Sequence, residues 1–130
     1  MSTAATKTIL VVEDKGPVRS VLFEILENLG YTVLQAPDGE QALSLAEDHD
    51  GAIDLLLVDI VMPGLQGNEV AERLRATRPQ TRVLFMSGYT KKTTAQNLIT
   101  KSGAGFLAKP FSLPELKAKL AEVFDEPVSE

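Results

Sequence analysis

The 130-residue chain contains no cysteine and no tryptophan, and a single histidine, His49. Without thiols, it can form no disulfide, thiolate metal site, iron–sulfur cluster or cysteine nucleophile. One histidine rules out a zinc ion held by several imidazoles, and His49 itself reads as a surface loop residue. No apolar run approaches the ~18–20 residues that cross a bilayer. The opening MSTAATKT lacks the charged-then-apolar layout of a secretory leader. Basic charge is scarce: 13 Lys+Arg against 18 Asp+Glu leave a net charge of −5. That sign is wrong for a surface that itself binds nucleic acid. These absences lead us to expect a cytoplasmic domain that neither binds nucleic acid nor touches a membrane.

What remains is an ordinary globular composition, 44% hydrophobic and 24% charged, enough to bury a core. No repeat, low-complexity tract or linker divides it. We expect one domain over residues 1–130, with a core from about 7 to 124 and loose ends at 1–6 and 125–130.

Two periodicities alternate along the chain. Thr8-Ile9-Leu10-Val11-Val12 is a continuous apolar run rich in β-branched residues, as in a parallel strand covered on both faces. Val18, Val21, Leu22, Ile25, Leu26 and Leu29 then recur at helical spacing, with Pro17 suited to the first turn and Gly30 to the stop. Phe23 falls outside that stripe and reads as an exposed contact. A second strand is predicted over Tyr31 to Ala36. A second helix should be capped by Asp38 with Gln41 completing a capping box, its inner face formed by Ala42, Leu43 and Ala46. Ile53 to Asp59 is the most apolar strand, hence central. A third helix from about Asn68 to Thr77 turns Val70, Ala71 and Leu74 inward. Strands over Arg82 to Ser87 and Gly105 to Lys109 flank a weak fourth helix over Thr90 to Thr100. Ser112 and Glu115 cap the fifth helix, which Leu116, Leu120 and Val123 line. Five strands alternating with five helices predict an α/β fold: a flavodoxin-like, doubly wound parallel sheet in the order 2-1-3-4-5.

In such sheets the functional crevice lies beyond the carboxyl ends of the strands. Strand 1 ends in Glu13-Asp14, strand 3 in Asp59, strand 4 in Ser87 and strand 5 in Lys109-Pro110. Strands 1 and 3 are neighbours in this order, so three carboxylates should crowd together. Two like charges ~4 Å apart repel by about 4 kcal/mol at an effective dielectric near 20. A hard divalent cation relieves this, and Mg²⁺ needs only one or two carboxylates beside water. Lys109 adds a mobile ammonium and Ser87 a hydroxyl. The set fits a phosphoryl group: cations for its charge, a hydroxyl for one oxygen and a carboxylate to receive it.

With these residues placed, the chain resembles the receiver domain of two-component response regulators over about residues 7–124. The resemblance rests on ILVVED (9–14), LLLVDIVMPGLQG (55–67), VLFMSGYT (83–90) and FLAKPFS (106–112), in order and at family spacing. FMSGYT and FLAKPFS are most similar to the receivers of hybrid sensor histidine kinases. The resemblance implies phosphorelay signalling, in which Asp59 accepts a phosphoryl group from a partner phosphohistidine. It implies that Asp14 and Asp59 ligate Mg²⁺ directly, Glu13 through water, and Val61 through its backbone carbonyl. Ser87 would bond the phosphoryl oxygen, and Lys109, before a cis bond to Pro110, would pair with the phosphoryl. Phe106 stands at the switch aromatic, coupled to Ser87. The domain would catalyse its own phosphoryl acceptance and loss rather than act as a conventional enzyme. The partner would be a histidine kinase or histidine phosphotransfer domain, met by the first helix and the Pro110-Phe111 loop. A self-dimer would form through the fourth helix, fifth strand and fifth helix.

Several residues depart from the family pattern. Lys15 follows the acidic pair where an acid or amide is frequent. Val61 is apolar and cannot position an attacking water through its side chain. Tyr89 is bulky enough to shield an acyl phosphate, and Phe106 lacks the hydroxyl of the more common Tyr. Rival readings fit less well. A flavin or nucleotide enzyme on this fold wants a Gly/Ser/Thr-rich loop after strand 1. A metal-dependent phosphatase wants an Asp-x-Asp pair where Asp59-Ile60-Val61 stands. An inactive, receiver-like interaction module would not need the complete set of acids, Ser and Lys.

Overall fold

Alternation within each apolar run decides the architecture. The computed structural model describes residues 7–88 and 105–124. In β1 (Thr8–Val12), Ile9 and Val11 point to one face while Leu10 and Val12 point to the other, all fully buried. β3 (Leu55–Asp59) repeats this, with Leu55 and Leu57 on one face and Leu56 and Val58 on the other. A strand apolar on both faces must be covered on both, and the helices divide accordingly. α2 (Gly39–Asp48) and α3 (Gly67–Thr77) pack Ala42, Ala46, Val70 and Leu74 against one face. α1 (Gly16–Asn28) and α4 (Leu113–Val123) pack Leu22, Leu26, Leu116 and Leu120 against the other.

With β2 (Thr32–Ala36), β4 (Arg82–Gly88) and β5 (Gly105–Lys109), the five parallel strands run in the order β2-β1-β3-β4-β5. This is the flavodoxin-like order predicted, with β3 central. Four helices are described. The fourth helix predicted over residues 90–100 lies outside the described residues, as do Tyr89 and both chain ends. Among the described residues, no helix is long and apolar enough to cross a membrane.

Three local expectations need correction. Val21 is 56% exposed rather than inward. The buried face of α1 centres on Leu22 and Leu26, and at about 100° per residue Val21 lies about 140° from Leu26. Phe23, on the opposite flank, is half-buried rather than exposed. Asp38 does cap α2, accepting from Gln41 N at 2.8 Å, but the box stays half-formed because Gln41 Nε2 turns to the Asp38 carboxylate at 3.3 Å. The Ser112–Glu115 box closes in both directions, at 3.2 and 2.8 Å. Gly30 ends α1 at φ 103°, a conformation that costs glycine least.

Candidate functional site

The sheet register delivers the predicted strand ends to one edge. Val12 pairs with Val58, and Asp59 with Met86. The residues following β1 therefore sit beside the end of β3, and Ser87 lies one step beyond the Asp59 pair. Ser87 itself faces Ala108, and Gly88 faces Lys109. Glu13, Asp14 and Asp59 converge until one oxygen from each lies within 4.8 Å of the others.

Lys109 crosses from β5 to this cluster. Its Nζ stands 2.7 Å from Glu13 Oε1 and 2.7 Å from Asp59 Oδ2. Burial works against its charge, but the hydrogen bonds and charges of Asp59 and Glu13 together outweigh burial and hold its pKa above the usual lysine value. The Lys109–Pro110 bond is cis, as the family resemblance implied.

Each acid has a distinct setting. Glu13 is fully buried, with Oε1 on Lys109 and Oε2 accepting from Lys15 N at 3.1 Å. Its carbonyl accepts from Arg19 Nη1 at 2.8 Å. Asp59 uses Oδ2 for Lys109 and Oδ1 for the Val61 amide, which donates at 3.0 Å. Asp14 is half-buried, and its Oδ1 is buried without a hydrogen-bond partner. A buried carboxylate oxygen left unpaired is costly. Set among two further carboxylates, it is the donor a hard cation would satisfy, and an all-oxygen set fits Mg²⁺.

The remaining candidates border this cluster. Ser87 is fully buried, and its Oγ donates to the Gly88 carbonyl at 3.3 Å. The Val61 side chain is 44% exposed. Phe106 is half-buried and packs against the α2–α3 core. The Lys15 side chain is exposed.

Two residues at this edge are given no role in the sequence reading. Arg19 binds a backbone carbonyl, an interaction no residue spacing announces. Gly67 opens α3 directly behind Asp59. A glycine in a first helical turn was the available signal, since glycine weakens a helix unless close approach requires it.

The response regulator receiver domain model matches residues 9–121. The sensor kinase CckA of Brucella abortus is 37% identical over 123 residues, which cover 95% of this chain and 13% of that protein. A crystal structure of the receiver domain from hybrid histidine kinase CckA is 36% identical with a TM-score of 0.73, covering 88% of this chain and 96% of that one. The Vibrio cholerae chemotaxis protein CheY4 is 28% identical with a TM-score of 0.81, covering 92% of this chain and 99% of that one. The chain spans less than half the length of the curated relatives it matches, from 13% to 48%.

Proposed function

The chain belongs to the response regulator receiver domain family of two-component systems, and from that premise we propose that Asp59 is the phosphoacceptor of a phosphorelay. One observation carries this reading: Lys109 Nζ bridges Asp59 and Glu13 at 2.7 Å each, beside the unpaired Asp14 oxygen. Three carboxylates against one ammonium leave the cluster negative, so a divalent cation beside Lys109 would be needed before it meets an anionic phosphoryl group.

In the proposed transfer, a carboxylate oxygen of Asp59 attacks the phosphorus of a partner phosphohistidine. A P–O bond forms, the P–N bond breaks, and the imidazole leaves with a proton from solvent. The new acyl phosphate brings about −1.5 to −2 of charge. Lys109, already at the acceptor oxygen, keeps an ionic partner by pairing with the phosphoryl. Ser87 Oγ holds only a 3.3 Å bond to Gly88, so it gives up little by turning to a phosphoryl oxygen. Its departure leaves space that Phe106 can enter, which would connect the site to the face carrying β5 and α4. Asp14 and Asp59 would hold Mg²⁺ directly, with Glu13 acting through water and Val61 through its carbonyl. When bound, the ion supplies charge neutralisation for the transferring phosphoryl.

The partner under this reading is a histidine kinase or histidine phosphotransfer domain, and the setting is the cytoplasm. The hybrid-kinase receiver is the favoured subtype, on the resemblance of FMSGYT and FLAKPFS and on the 37% identity to the sensor kinase CckA over 95% of the chain. Self-association through the fourth predicted helix, β5 and α4 belongs to the same proposal. So does the single-domain reading of residues 1–130.

The test is incubation with Mg²⁺ and acetyl phosphate, read by intact mass. Wild type should gain one phosphoryl group, whereas Asp59→Asn and chelator-treated protein should gain none. Absence of any gain, together with no spectral response to beryllofluoride, overturns the proposal.

A further inference from the structure

Against the back of Asp59 sits Gly67. It is buried at the start of α3, and its amide donates to the Ile60 carbonyl at 2.9 Å. That bond closes the loop of residues 60–67 on itself. A Cβ at position 67 would lie 2.3 Å from the Asp59 carbonyl oxygen, 2.8 Å from Ile60 Cα and 2.9 Å from the Asp59 carbonyl carbon. All three are backbone atoms, so no change of rotamer relieves the collision. Either the helix start retreats or the strand end moves.

The strand end is itself tied on its other sides. Ile60 N donates to the Met86 carbonyl at 2.9 Å, and Val61 N to Asp59 Oδ1 at 3.0 Å. Gly39 offers a contrast. Its Cβ would meet Val70 Cγ2 at 2.4 Å and Leu65 Cβ at 3.0 Å, side-chain atoms of the core and not the backbone that carries the acceptor.

We infer that Gly67 is a positioning residue for phosphoryl acceptance. Its missing side chain lets the first turn of α3 seat on the Asp59 backbone and so fixes where the carboxylate points. The inference rests on the reading of Asp59 as acceptor. A backbone shift there turns Oδ2 from Lys109 and Oδ1 from the Val61 amide together, and misplacement by about 1 Å can cost 10²-fold in rate. Gly67 touches no reacting atom and acts only through Asp59.

The test compares wild type, Gly67→Ala and Leu74→Ala. Leu74 lies two turns along the same helix, buried in the core away from the site. Initial acceptance from acetyl phosphate is read by intact mass at saturating Mg²⁺, alongside urea stability and the amide spectrum. Gly67→Ala should accept at least tenfold more slowly, with spectral changes centred on residues 59–61. Leu74→Ala should lose stability while its folded form stays within threefold of the wild-type rate. A folded Gly67→Ala within threefold of wild type overturns the inference, as does a tenfold rate loss in Leu74→Ala. Should Gly67→Ala fail to fold, one glycine inserted after Gly64 lifts the helix start without adding a side chain. A tenfold loss there supports the inference, and a rate within threefold overturns it. Wild type that gains no phosphoryl removes the acceptor reading and this inference together. Wild type that does gain it, beside an unaffected variant, removes the inference alone.

Discussion

Lys109 Nζ lies 2.7 Å from Asp59 Oδ2, an ion pair joining residues 50 positions apart in the chain. The lysine side chain is 19% exposed while its other partner, Glu13, is fully buried. Removing the ammonium strands carboxylates that water reaches poorly. We predict that Lys109→Met lowers the unfolding free energy by about 3 kcal/mol in metal-free buffer, the low end for a broken buried pair, since it leaves an uncompensated charge. Urea denaturation checks this. Added Mg²⁺ should narrow the gap, and an unchanged midpoint without metal would contradict the bridging role.

The same pair sets a pH dependence. The folded pKa of Lys109 lies above its ordinary 10.5, so the folded state binds this proton more tightly than the unfolded chain. The stability contribution is therefore fully present below 10.5 and is lost as pH rises through the higher folded value. From neutral pH upward, the wild-type and Lys109→Met stability curves should run parallel and converge only in the strongly alkaline range. Convergence near neutrality would count against the pairing.

Asp14 provides the cleanest metal test because its Oδ1 has no protein partner. Binding to the folded state alone stabilises it by about 2.7 kcal/mol when free ligand is 100 times Kd. Wild type should therefore show a rising Tm with Mg²⁺, and Asp14→Asn should lose most of that rise. Without metal the variant should be at least as stable as wild type, one of three crowded negative charges having gone. A full Mg²⁺ response in Asp14→Asn would remove Asp14 from the ligand set.

Arg78 works at the opposite end of the sheet. Its guanidinium donates to the carbonyls of Gly51, Ala46 and His49 at 2.8, 2.9 and 2.8 Å. It thereby holds the end of α2 and the turn into β3. Arg78→Met should cost about 1–3 kcal/mol through unsatisfied carbonyls, with phosphoryl acceptance by the folded protein unchanged. Thermal unfolding and the mass assay separate the two effects.

Ser112 caps α4, and its hydroxyl accepts from Glu115 N at 3.2 Å. Ser112→Ala should cost about 1 kcal/mol and speed amide exchange in the first turn of α4. No change in exchange there would show that packing of Leu116 and Leu120 alone holds the helix start.

Much of this is legible in the sequence. The short apolar runs at 8–12 and 55–59, alternating with helical stripes, announce strands covered on both faces, as in a parallel sheet flanked by helices. Leu22 and Leu26 were legible as core, whereas Val21 was not. A stripe spaced i, i+3, i+4 spans a wide arc, and the position of the sheet selects which part is buried. Gln41 had the right spacing for a capping box, but its side-chain amide N–H donates to the Asp38 carboxylate where a box needs its oxygen to accept from the Asp38 backbone N–H, a choice that spacing does not contain. Arg78 and Arg19 were invisible because their partners are carbonyl oxygens, which every residue possesses.

By itself the sequence determined the alternation of strand and helix and the chemical type at each strand end: acids after β1 and β3, a hydroxyl in β4, a lysine in β5. Those follow from local period and residue identity. The tertiary structure alone decided that Lys109 reaches both Glu13, 96 positions away, and Asp59. It also decided that Asp14 keeps an unpaired oxygen and that only a glycine fits behind Asp59. The physical reason is that strand register and helix seating are settled by burial of the whole core, and distances of a few ångströms at the sheet edge are the remainder of that global solution.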